Sequence, residues 1–173
     1  MNDAHLHLLF NHFPIVGSFI SLAILGIGFI LKNSTVKKVG LGILIFCAVM
    51  TLPAFFTGEG AEEIVEEYPG ISHDVIHEHE EVAELALWIG IFAGIFAAFA
   101  LYFEVVGHKL ARIFTLLTLV INLVCFIAMA RVGNTGGEIR HPEISGKAAP
   151  VGESSTEGEE TCLLYTSPSP RDR

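Results

Sequence analysis

Leu85-Ala-Leu-Trp-Ile-Gly-Ile-Phe-Ala-Gly-Ile-Phe-Ala-Ala-Phe-Ala-Leu-Tyr-Phe103 is a run of 19 residues without a charge. At ~1.5 Å per residue such a helix covers the ~30 Å hydrocarbon core of a bilayer. Three further runs share this character: Phe13–Leu31, Val39–Phe56 and Ile113–Ala130. The chain has 173 residues, 51% of them hydrophobic and only 17% charged, with mean hydropathy +0.57. This is too apolar for an ordinary soluble domain and excludes a soluble enzyme, a nucleic-acid binder or a disulfide-stapled secreted domain. No Lys or Arg precedes Phe13, and that run exceeds the apolar core of a secretory signal, so it is expected to be retained.

The expected fold is therefore all-α: an integral membrane four-helix bundle, with helices over about 13–31, 39–56, 73–105 and 110–130. Lys32-Asn33-Ser34 closes the first helix, Thr35 is a candidate cap for the second, and Thr57-Gly58-Glu59-Gly60 follows its end. The long loop 58–81 has room for a surface helix at Ala61–Tyr68, a Pro69-Gly70 turn and a cap at Ser72. Lys32, Lys37 and Lys38 lie in the first loop and Lys109 and Arg112 in the third, whereas the N-terminal tail and the long loop have neither Lys nor Arg. By the positive-inside rule both termini are expected on the non-cytoplasmic side.

The region 145–161, made chiefly of Gly, Ser, Glu and Ala, has the composition of a disordered acidic linker. Cys162–Asp172 resembles a translated sequencing-library adapter, so residues 162–173 are expected to be non-native. Without Cys162 only Cys47 and Cys125 remain, both in apolar runs. No cysteine framework is expected from two such residues.

Topology places seven of the eight histidines on the outer side: His5, His7, His12, His73, His77, His79 and His141, leaving His108 inside. On a helix His73, His77, Glu80 and Glu84 form one stripe with Glu81 beside it, descending towards Leu85. A carboxylate at Glu84 borders the apolar run and is expected to face the bundle or a polar cavity. His12, at the mouth of helix one beside Phe13-Pro14, completes a His/carboxylate set. Imidazole with carboxylate suits iron, zinc or manganese, and the expected ligands are His12, His77, Glu80, Glu81 and Glu84. Haem b is the competing cofactor, with His12 and His73 or His77 as axial ligands. The outer loop's many acids and lack of bases disfavour haem propionates. Asn122 is a candidate interhelical hydrogen-bonder, and Gly90-x-x-x-Gly94 with its neighbouring alanines gives helix three a small-residue face.

The elements His5-x-His7, His12-Phe13-Pro14 and Gly136-Gly137-Glu138 resemble those of an uncharacterised bacterial family of four-helix membrane proteins. The likeness spans about residues 4–144, though Leu8 follows His7 where that family more usually has proline. It implies a bacterial inner-membrane location and supplies no activity. The expected role is metal or haem binding in respiratory redox or metal handling. A cofactor-free accessory or anchor subunit is the alternative, and a transporter using Glu84 comes third. The bilayer is the expected partner, with subunits of a respiratory complex or further copies of the chain as protein partners.

Overall fold

The computed structural model describes residues 2–68 and 71–141; the expected linker 145–161 and the segment 162–173 lie outside these. The described residues form four helices: α1 (Asp3–Ile30), α2 (Ser34–Glu66), α3 (His73–Val106) and α4 (Ala111–Arg140). All four are long and apolar enough to cross a membrane. Each packs on its sequence neighbours, and α4 returns to α1 to close a four-membered ring.

The helices outrun the charge-free stretches. Residues 3–12, 57–66, 73–84 and 131–140 continue the four helices beyond those stretches at one end of the bundle, an extension of roughly 15–18 Å. The region 61–68 is thus no separate surface helix: α2 runs unbroken through Thr57-Gly58-Glu59-Gly60 to Glu66. The physical reason is packing. A Cβ at Gly58 would lie 3.6 Å from the His7 ring, one at Gly60 would collide with Asp3, and one at Gly136 would lie 3.1 Å from His79 Cε1. At Gly60 and Gly136 a neighbouring side chain needs the room, whereas Gly58 is in ordinary contact with His7. Pro14 and Pro53 likewise sit inside α1 and α2; each omits one N–H bond within a helix that its neighbours hold in place.

The caps explain the tight turns at the opposite end. Asn33, rather than Thr35, caps α2 by accepting Val36 N–H at 3.2 Å. Gly107 adopts φ 67°, a left-handed conformation that glycine tolerates without a Cβ clash, and His108 N–H closes the α3 end on Phe103 O at 3.0 Å. Ser72 is the N-cap residue of α3 but makes no capping side-chain bond.

Side chains sort as a bilayer requires. Phe19, Phe56, Leu85, Trp88, Phe99 and Ile127 are exposed on the outside, whereas the interior is small or polar. α1 presents His7, Asn11, Pro14, Ser18, Ser21, Leu25 and Gly28 inward, spaced alternately by four and three. α3 continues its small face through Ala86, Gly90, Ala93, Ala97 and Ala100. Leu25, Leu41 and Leu44 fill the core beside those alanines. Asn122 donates to Ser21 Oγ at 3.1 Å and Ser21 donates to Gly40 O at 3.0 Å, tying α4, α1 and α2 together. In lipid, where the apolar effect does not drive helix association, close contact and such bonds of roughly 0.6 kcal/mol hold the helices.

At the end opposite the histidines, Glu104 is buried and accepts from Lys37 Nζ, from Ser34 Oγ at 3.0 Å and from Thr115 Oγ1 at 3.4 Å. One carboxylate thereby joins α2, α3 and α4.

Candidate metal centre at the histidine end

The helical extensions bring His7 of α1 and His79 of α3 together across the ring, with ring centroids 6.3 Å apart and planes at 87°. The two helices are not sequence neighbours, so the pair lies near the bundle axis. Inward stripes dictate this placement. His7 is two turns before Pro14 on the buried face of α1, and His79 is seven residues before Ala86 on the buried face of α3.

Each imidazole is held through Nδ1. His7 Nδ1 is 2.8 Å from Ala54 O, a pure acceptor, so Nδ1 carries the proton. His79 Nδ1 is 2.9 Å from Thr135 Oγ1. That hydroxyl lies 3.2 Å from both Arg131 O and Val132 O, to which it donates, leaving its lone pair to accept from His79. In the neutral tautomers so fixed, Nε2 of each ring keeps its lone pair. This is the arrangement of metal-binding histidines, whose second nitrogen is held by a backbone or side-chain oxygen. Asn11 stands one turn below His7 on the same face, and its buried Oδ1 has no hydrogen-bond partner among the described residues.

The ligands expected from sequence lie elsewhere. His12 is exposed, with Nδ1 on Leu8 O at 2.6 Å, one turn back along its own helix. His73 pairs with Glu66 at 3.0 Å, and His77 lies 3.5 Å from Glu80 and 3.7 Å from Glu81. The His77 and Glu81 side chains are each 72% exposed, so this stripe is the solvent face of α3. Glu84 is exposed too, not turned into the bundle as expected. Ile76, Ala86 and Leu87 take the inward positions on this helix, which leaves the His77 and Glu84 face outside. Thus the structure does not bring His12, His77 and Glu84 together, and no group of three or more His, Cys, Asp or Glu residues forms a metal site among the described residues.

Other contacts stiffen this end. Glu80 of α3 beside Glu62 of α2, together with burial, pushes the Glu62 carboxyl up to about 7. Arg140 stacks over the Tyr68 ring at 5.1 Å. An open groove of about 380 Å³ between Glu78 and the Phe126–Glu138 face of α4 reaches Thr135, the residue that holds His79.

Sequence reasoning passed over His7 and His79 because it followed charge rather than burial. The signal was present: the spacing Ala97, Ala93, Gly90, Ala86 projects back to Ala83, His79 and Ile76. Comparison of the chain with protein-family models, with curated proteins and with solved structures gives no match.

Proposed function

We propose that this chain is a bacterial inner-membrane protein that binds one transition-metal ion between His7 and His79 at the periplasmic end of its bundle, serving metal handling or respiratory redox. The observation that carries the reading is the diagonal histidine pair, each ring held through Nδ1. With metal–nitrogen bonds of ~2.0–2.1 Å, two imidazoles on one ion have centroids roughly 5–6 Å apart. The 6.3 Å separation therefore needs little adjustment. Asn11 supplies an oxygen on the same face, and the ligand set then resembles the borderline N/O sites of zinc, iron or manganese. The close fit of Gly58 and Gly136 to the two rings favours an ion over a haem macrocycle.

The test is metal titration of the detergent-purified chain with Co(II) and Zn(II) against a chelator. One equivalent should bind, and His7→Ala and His79→Ala should each weaken it by more than about 100-fold, the upper range for losing a mere supporting group. His12→Ala and His77→Ala should leave it unchanged. If the four variants behave alike, or no metal binds, the accessory-subunit reading replaces this one.

A further inference from the structure

Below the histidine pair, between α1, α2, α3 and α4, a small cavity of about 10 Å³ is lined by Cys47, Cys125, Met129, Thr51, Ser18 and others. That is room for one water or one ion. Three soft sulfur donors surround it. Cys125 and Met129 are one turn apart on the inward face of α4, Cys47 faces them from α2, and each of the three residues is 3% exposed. The two thiols line the same cavity. Cys47 donates to Phe13 O at 3.4 Å, and a Cβ at Gly17 would overlap its sulfur, so α1 keeps a gap for this thiol.

We propose that this cavity is a soft-metal site taking a monovalent d10 ion, Cu(I). Thiol and thioether donors select Cu(I) over the hard cations. The Met129 thioether separates Cu(I) from Zn(II), whose protein sites use Cys, His and carboxylate rather than thioether. Binding replaces the proton of one thiol by Cu(I), which gives a neutral copper thiolate held also by the second sulfur and the thioether, and releases one proton, so no net charge is added to an interior of low polarity. Copper enters and stays as Cu(I), so no electron is transferred. Cys47 and Ala54, whose carbonyl holds His7, are seven residues apart on α2, which sets this site roughly 10 Å below the histidine pair. It uses different donors and a different class of metal, and so stands or falls independently of the site above.

The experiment is anaerobic Cu(I) titration of the detergent-solubilised chain carrying Cys162→Ser, in competition with a Cu(I) chelator, with copper-edge X-ray absorption on the loaded protein. The first equivalent should bind with a sulfur-only first shell and one proton released. Cys47→Ser and Cys125→Ser should each lower affinity by about 100-fold or more, while Met129→Leu should lower it about tenfold, a range typical for loss of ligands or their supports. His7→Ala and His79→Ala should retain it. A nitrogen or oxygen first shell in the wild type, no retained copper, or unchanged affinity in both cysteine variants overturns the proposal. The absorption reading needs no variant to fold.

Discussion

Replacing Lys37 by Met removes the cation that neutralises Glu104, whose side chain is only 5% exposed against 15% for Lys37. Losing one partner of a buried pair costs ~3–5 kcal/mol because the other charge is left uncompensated. Ser34 and Thr115 still donate to the carboxylate at 3.0 and 3.4 Å, and a hydrogen bond to a charged group is worth ~1.5–3 kcal/mol. The expected loss for Lys37→Met therefore sits at the low end, about 3 kcal/mol. Glu104→Gln should be milder, about 1–2 kcal/mol. The amide oxygen keeps its hydroxyl donors, and the stranded Lys37 can extend its ammonium to the headgroup region. In the double variant no charge is left buried, so its cost should be close to that of Glu104→Gln alone, an interaction energy of about 3 kcal/mol in magnitude. The assay is equilibrium unfolding in mixed micelles, followed by helical circular dichroism. If Lys37→Met stays within about 0.5 kcal/mol of wild type, the pair is not a buried tie between α2 and α3 and the reasoning fails.

Thr135→Val preserves shape but removes the oxygen that accepts from His79; metal affinity measured by chelator competition should fall ~10–100-fold, with the helix content unchanged. Gly40→Ala, where a Cβ would lie 2.8 Å from Leu25 N, should destabilise by ~1–3 kcal/mol. Gly26→Ala, with nothing within 4 Å, should be neutral or stabilising by up to ~1 kcal/mol, so equal effects in an unfolding assay would contradict the packing. Raising pH through about 7 should ionise Glu62, whose carboxyl is held up beside Glu80, and loosen the end of α2. Hydrogen exchange across residues 59–68 should speed up with pH beyond its intrinsic rise, and Glu62→Gln should abolish that excess. In a chain carrying Cys162→Ser, Ser72→Cys should react with an impermeant thiol reagent in intact cells and His108→Cys should not; the reverse pattern would put the histidine end in the cytoplasm.

The membrane-spanning core was legible because lipid imposes a simple rule, about 18–19 uncharged residues per crossing, and the four runs obey it. What lay beyond was obscured for a physical reason. Outside the bilayer polarity no longer marks a helix boundary, so Gly58 and Gly60 read as turn residues, although α2 runs through both and Gly60 gives way to Asp3 on α1. The same attention to charge over geometry led to side chains that the fold leaves exposed, among them His12, His77 and Glu84. His77, Glu80 and Glu81 form a dense acidic and basic run, and such a run is a solvated face. His79, between them in sequence, turns inward on the stripe of Ile76, Ala86 and Gly90. Lys37 was legible as a topological charge, but its partner Glu104, 67 residues away, needed the fold to be seen.

The most direct test of the metal centre is zinc-edge X-ray absorption of the chain loaded with one Zn(II), compared with the same spectrum for His79→Ala. The account predicts two imidazoles in the first shell of the wild type and fewer than two in the variant. A wild-type shell without paired imidazoles, or one unaltered by the loss of His79, would contradict it.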